Sequence, residues 1–449
     1  MNKLVRSKFL LASAMAVAIA GLGLGASVFT HSGSAQAQDS VPGSTMVPKF
    51  SVDPLWPKPM PNHWLMGNVI GVSVDKNDNV WVVHRPGTLE AKESYLTRKE
   101  SDCCTAAPDV LEFDKAGNVI QSWGRDSGSA VKAGHDWPSS NHGITVAPDG
   151  TIWLGANGAG QPGLPPGSAE FYAAAARPRT PPPAARGGAG GATAGGEGGG
   201  EVGRYHDSFM LHFTPDGKFL GEIGSANGSK GSLDTNNVRG VAAIRFLPDG
   251  TLVAADGYGN HRVSEWDPKT GKNVRIWGAY GKPPSDDPIP HYNADSPQFG
   301  NPVHCAQPSV DGILYVCDRT NNRIQTFKFD GTYLHQYNLE TNTKGDGAPW
   351  EIAFSTDPAQ KFMYVSDGSN EKIHVFDRAS MKELYAFGGG GRTPGEFYAV
   401  HSIVTDSKGN IVTTETYRGQ RVQKFMYQGL VPLSSLTSAK IVGGSIINP

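Results

Sequence analysis

Short apolar runs of alternating, period-two character recur along the chain, and each pair flanks an Asp-Gly-type turn. Val72-Ser73-Val74-Asp75 leads through Asp78-Asn79 to Val80-Trp81-Val82-Val83, and Ile144-Thr145-Val146 leads through Asp149-Gly150 to Ile152-Trp153-Leu154. The phrase returns around Asp249-Gly250, Asp311-Gly312 and Lys408-Gly409, and more loosely between Asp357 and Tyr364, where Pro358-Ala359-Gln360 replaces the tight turn. Each phrase predicts two strands joined by a two-residue hairpin turn, because positive φ favours Gly or Asn. A second strand pair follows each hairpin. Val110 to Phe113 turns at Ala116-Gly117, Phe209 to Phe213 turns at Asp216-Gly217, and later copies read Asn260-His261-Arg262-Val263, Asn322-Arg323-Ile324, Glu371-Lys372-Ile373 and Gln420-Arg421-Val422. Six units of four strands predict an all-β, six-bladed β-propeller over residues 66–430. No segment of it keeps a helical period for three turns, which excludes a helical bundle and a doubly wound sheet.

The remaining segments differ in composition. Residues 1–37 carry Lys3, Arg6 and Lys8, then an apolar run ending near Thr30 and the small-x-small site Ala35-Gln36-Ala37, the pattern of a cleaved Sec-type signal peptide. No later stretch approaches the ~18 apolar residues of a membrane span. The expectation is therefore an exported protein, periplasmic or secreted, with no membrane contact after signal cleavage. Residues 38–65 form an N-terminal arm, whose stretch Phe50 to Met60 is expected to add a strand to the last blade and close the ring. Residues 157–203, rich in Gly and Pro, read as a disordered insertion between the strand pairs of blade two. Residues 431–449 are a C-terminal tail. With 40 Lys plus Arg against 42 Asp plus Glu and no basic run, the chain lacks the phosphate-neutralising surface of a nucleic-acid binder. A monomer is expected.

Aligning the units on their turn glycine brings out the candidate chemistry. His142, His304 and His401 each stand eight residues before a turn glycine (Gly150, Gly312, Gly409), in blades two, four and six. The matching positions are Gly71 in blade one, Ala242 in blade three and Trp350 or Glu351 in blade five. Equivalent positions on alternate blades of a six-fold ring lie about 120° apart around its axis. Three imidazoles there converge at the channel mouth, the ligand set of a catalytic Zn2+ with one open position. A single inner-strand histidine would more ordinarily hydrogen-bond a neighbouring carbonyl; the shared register of three favours the metal.

The surroundings of this triad resemble the peptidyl-α-hydroxyglycine α-amidating lyase family, a zinc-dependent propeller within the broader NHL-repeat pattern. The shared phrases are Gly71-Val72 running into Val83-His84-Arg85, Asn141-His142-Gly143, Asp256-Gly257-Tyr258-Gly259-Asn260, Pro302-Val303-His304 with Cys317-Asp318-Arg319, and Val400-His401-Ser402. The resemblance implies that His142, His304 and His401 bind zinc, that Tyr258 is the base, and that Arg85 and Arg319 line the site. It implies a carbon–nitrogen lyase that converts a small-molecule or peptide α-hydroxy amide to an amide and glyoxylate. In that family an acidic residue associated with a structural calcium ion follows the last zinc histidine. Ser402 stands here, which puts Ca2+ in doubt.

Cys305 and Cys317 flank the Asp311-Gly312 turn at nearly matching distances, so a cross-hairpin disulfide is expected, with a thiolate metal site as the alternative. Cys103-Cys104 is a vicinal pair whose pairing the sequence leaves open. Two other functions compete with the lyase: a non-enzymatic propeller that binds a protein or glycan, and a lactonase-like metal hydrolase. The latter would favour carboxylate and Asn ligands over three imidazoles.

Overall fold

Each blade starts from its hairpin turn. The residue with positive φ is Gly150, Gly250, Gly312 and Gly409 in blades two, three, four and six, Asp78 in blade one and Gln360 in blade five. Its amide donates to the carbonyl three residues earlier in every blade: Asp78 to Asp75, Gly150 to Ala147, Gly250 to Leu247, Gly312 to Ser309, Gln360 to Asp357 and Gly409 to Asp406. The loop therefore has three residues in five blades rather than the expected two: a tight turn, then one left-handed residue that re-enters the ladder. Blade five has a longer loop, closed by Ser355 donating to Phe362.

The computed structural model describes residues 45–125, 129–158, 206–290, 292–437, 441–442 and 445–446. The signal segment and nearly all of the 157–203 insertion lie outside them. Six four-stranded antiparallel sheets follow one another around a ring, so the fold is an all-β six-bladed propeller. From the innermost strand outward, blade one contains Asn68–Val74, Val80–Arg85, Val110–Phe113 and Val119–Trp123. Blade two contains Asn141–Val146, Ile152–Ala156, Phe209–Phe213 and Phe219–Gly224. Blade three contains Val241–Phe246, Leu252–Asp256, Arg262–Trp266 and Asn273–Trp277. Blade four contains Val303–Pro308, Ile313–Asp318, Arg323–Lys328 and Tyr333–Asn338. Blade five contains Glu351–Phe354, Phe362–Asp367, Lys372–Asp377 and Lys382–Gly388.

Blade six combines both ends of the described chain. Val400–Thr405, Ile411–Glu415 and Val422–Pro432 come from the C-terminal side, and Met46–Val52 pairs antiparallel with Val422–Pro432 as the outermost strand. The closing strand thus precedes most of the stretch Phe50 to Met60. Pro54, Pro57 and Pro59 have no amide to donate to a ladder, whereas Pro48 sits at a register shift. The sixth blade runs to Pro432, and a short helix, Leu433–Thr437, follows it.

Packing between blades supplies the core. Six buried apolar clusters each bridge one pair of neighbours, for example Trp81, Val83 and Val110 of blade one against Ile144, Ile152 and Phe213 of blade two. Every blade is covered on both faces, so its inner strands tolerate apolar side chains at consecutive positions. Among the described residues, no helix is long and apolar enough to cross a membrane.

A repeated ion pair ties the loops to the blades. Arg262 meets Asp256, Arg323 meets Asp318 and Arg421 meets Glu415, at 2.7, 2.7 and 2.6 Å. Each guanidinium also donates to carbonyls of the loop entering its blade, such as Ser232, Asp234 and Asn237 for Arg262. In blade five Lys372 takes this place but reaches Glu340 at 3.3 Å. His374 instead lies 3.2 Å from Asp367 and 3.0 Å from Glu383. Burial alone would lower its pKa, but the two carboxylates outweigh burial and push it up to about 9. A folded-state pKa above the unfolded one stabilises fully below pH ~6.5, and the contribution is lost as pH rises through about 9. The urea midpoint of the wild type should therefore fall between pH 6.5 and 9.5 more steeply than that of His374→Gln. Parallel slopes would contradict this.

Candidate metal centre

The innermost strands carry the centre beside irregularities in their pairing. A register shift falls between His142 and Ile144 in blade two, between Val303 and Cys305 in blade four, and between Val400 and Ile403 in blade six. A bulge re-aims a side chain locally, and each shift involves or directly adjoins a triad histidine. The three rings are buried and meet, with centroids 5.2 Å apart for His142 and His304, 4.9 Å for His142 and His401, and 4.7 Å for His304 and His401. One potential ligand atom from each lies within 4.8 Å of the others.

Hydrogen bonds from the alternate blades orient the rings. His142 Nδ1 is 2.7 Å from the carbonyl of Ala242, and His304 Nδ1 is 2.6 Å from that of Trp350. His401 Nδ1 is 3.0 Å from the Ser402 hydroxyl, which donates to the Ile70 carbonyl at 3.1 Å. Blades three and five thus supply the carbonyls that engage Nδ1 of His142 and His304, and for His401 the link to blade one runs through Ser402, which leaves Nε2 of the rings facing inward. Nε2 of His304 and of His401 is buried without a hydrogen-bond partner, and Nε2 of His142 is 3.2 Å from the Tyr258 hydroxyl. Two orphaned nitrogens in a buried triad fit a metal ion. Burial first, then Arg319 and the neighbouring imidazoles, hold His304 well below its ordinary pKa; burial, His142, Arg319 and Arg85 do so for His401. Both are neutral, as metal ligation requires.

Tyr258 and Arg319 come from loops that follow second strands. Gly257 lets the first of these loops pass close to blade four, since a Cβ there would lie 2.1 Å from the Val303 carbonyl oxygen. Tyr258 is buried with its hydroxyl accepting from Arg319 Nη1 at 3.0 Å. Val69 pairs with His84 and Val303 with Asp318, so Arg85 and Arg319 occupy matching positions on blades one and four, about 180° apart in the ring. Arg85 Nε donates to the Asn141 carbonyl at 3.0 Å, and Nη2 donates to Asn157 Oδ1 at 2.9 Å. Of the six sequence-predicted residues, Tyr258 adjoins the triad at His142, Arg319 reaches it through the Tyr258 hydroxyl, and Arg85 approaches through Asn141, the neighbour of His142.

Three features of the site were not assigned from sequence: the orienting carbonyls, the Ser402 link and Trp350. The carbonyls had a trace in the sequence, because Ala242 and Trp350 fall in the histidine register. His84, despite its place in the shared phrase, accepts from the Gly67 amide and hydrogen-bonds the Pro108 carbonyl, and burial lowers its pKa to about 4. No carboxylate follows His401; beyond Ser402, Glu351 forms an ion pair with Arg245 at 2.7 Å. A cavity of about 860 Å³, lined in part by Arg245, Gln307 and Thr145 near the hairpin turns, includes none of the triad. Glu340, Asp367 and His374 also cluster closely, but Glu340 is paired with Lys372 and both His374 nitrogens with carboxylates, which makes them an ion-pair group.

Cys305 and Cys317 face each other in the ladder and are joined by a disulfide, so neither offers a thiolate to a metal. Cys103 and Cys104 are joined to each other.

Fold and site together define a six-bladed propeller with a buried three-histidine centre able to hold a metal. No family model matches the chain. It is 22% identical over 413 residues to peptidyl-alpha-hydroxyglycine alpha-amidating lyase 1 of Drosophila melanogaster, covering 86% of this chain and 61% of that protein. The chain thus spans less than two thirds of this relative's length. Among solved structures, a virginiamycin B lyase from Staphylococcus aureus with quinupristin shares 12% identity, with 89% of this chain and 92% of that one covered and a TM-score of 0.42. A streptogramin B lyase shares 12% identity, with 85% and 98% covered and a TM-score of 0.43.

Proposed function

We propose that this protein is an exported zinc-dependent lyase that cleaves the C–N bond of an α-hydroxyglycine-type carbinolamide to an amide and glyoxylate. The observation that carries the reading is the convergence of three imidazoles beside a tyrosine hydroxyl that is itself held by an arginine. The likeness to the Drosophila amidating lyase supports the substrate class, and the Cys305–Cys317 disulfide supports an oxidising compartment.

When bound by His142, His304 and His401, zinc supplies Lewis-acid polarisation at the reacting centre. The residues perform the remaining work. Arg85, anchored through Nε and Nη2 by Asn141 and Asn157, attracts the substrate carboxylate with its charge. Tyr258, as phenolate, removes the carbinol hydroxyl proton. A phenol is a poor base near neutral pH unless cations stabilise its anion, and Arg319 is such a cation 3.0 Å away. As the C–N bond breaks, its electron pair leaves with the amide nitrogen. That nitrogen takes back the proton from the Tyr258 hydroxyl, and the carbinol carbon becomes the aldehyde of glyoxylate. Zinc-loaded protein given a peptidyl-α-hydroxyglycine should release amide and glyoxylate in equal amounts by mass spectrometry. An intact compound after prolonged incubation would end this reading.

A further inference from the structure

Trp350 is the blade-five residue in the histidine register, and the mechanism above gives its side chain no role. Its backbone carbonyl engages His304 Nδ1, and its ring is fully buried with three kinds of support. The indole N–H donates to the Gly347 carbonyl at 2.8 Å, which fixes the ring's rotation. One face lies against Gly368, where an added Cβ would meet indole carbons at 2.9 and 3.0 Å. The Arg319 guanidinium carbon lies 4.6 Å from the centroid of the ring, closer than its 5.5 Å to the Tyr258 ring. Gly368 follows Asp367 as Arg319 follows Asp318 and as Arg85 follows His84. Blade five thus has no side chain where blades one and four carry arginines, and the indole fills the space.

We propose that Trp350 is a positioning residue of this site: its indole holds the Arg319 guanidinium against the Tyr258 hydroxyl. A cation over an indole face is attracted by the ring quadrupole, most strongly for Trp and when desolvated. Arg319 has several rotatable bonds, and burial between Trp350 and Tyr258 restricts it to the geometry in which Nη1 meets the hydroxyl. The kinetic consequence rests on the lyase reading; the geometric one does not.

The test compares Trp350→Leu, which removes the π face but retains the carbonyl that engages His304, with Trp350→Phe, which retains a weaker face. In Trp350→Leu, kcat should fall about 10-fold, with KM within about 2-fold and bound zinc unchanged; Trp350→Phe should retain about a third of kcat. A crystal structure of Trp350→Leu should show Arg319 Nη1 beyond hydrogen-bond reach of the Tyr258 hydroxyl. Trp350→Phe decides the matter if Trp350→Leu does not fold: its crystal structure should show Arg319 Nη1 farther from the Tyr258 hydroxyl than in the wild type, and an unchanged distance with unchanged kcat overturns the proposal. The proposal is overturned if Arg319 keeps its bond to Tyr258 in the Leu variant, if kcat is unchanged, or if KM alone rises, which would make Trp350 a substrate-contacting wall. A wild type without turnover would end the lyase reading and leave the crystallographic comparison to decide the role of Trp350.

Discussion

Replacing His304 with alanine is expected to empty the metal site and to lower lyase turnover on the order of 10³-fold or more. The reason is geometric. The three rings stand at nearly equal separations, 4.7, 4.9 and 5.2 Å between centroids, so each is one corner of the site, and two imidazoles cannot retain zinc as three do. The same loss is expected for His142→Ala and His401→Ala. Zinc content by plasma emission and turnover should fall together, while far-ultraviolet circular dichroism stays that of the wild type. The blades are held by apolar clusters, none of which contains a triad histidine. A His304→Ala protein that retained stoichiometric zinc would contradict the ligand assignment.

Tyr258→Phe separates proton transfer from metal binding. The ring that packs against His142 and His304 remains, at centroid distances of 5.0 and 5.7 Å, and only the hydroxyl is lost. A general base contributes typically 10²–10⁴-fold, so kcat should fall about 10²- to 10⁴-fold with KM little changed. Zinc content should stay at the wild-type level, because Tyr258 touches a ligand without being one of the three imidazoles. Activity near that of the wild type would remove Tyr258 from the chemistry and would shift the proton transfer to water or to another group.

Much of this arrangement was legible in the chain because a propeller repeats its own ruler. The turn residue recurs once per blade, so counting back eight positions from Gly150, Gly312 and Gly409 lands on the triad without any knowledge of the strands' geometry. The period-two runs were readable for the same reason. What the chain did not reveal runs across blades. The bond from His142 to the Ala242 carbonyl spans a hundred residues and that from His304 to Trp350 spans 46, and a main-chain oxygen leaves no mark in side-chain identity. The stacking of Arg319 on Trp350 likewise joins two loops whose approach depends on Gly368, a residue that in sequence resembles any other turn glycine. Turn length has no clear mark in sequence, because a left-handed glycine serves two-residue and three-residue loops alike, and only the hydrogen bond from Gly150 to Ala147 distinguishes them. The closing strand, Met46–Val52, starts before the stretch Phe50 to Met60, and its pairing partner lies at the other end of the described chain, where no local pattern marks the match.

The most direct test is a zinc titration of metal-free wild-type protein, followed by release of amide and glyoxylate from a peptidyl-α-hydroxyglycine. The metal-free protein should show no turnover, and activity should rise linearly to one zinc per chain and then reach a plateau. Full activity in the metal-free protein, or none at any zinc concentration, would contradict the zinc-dependent lyase reading.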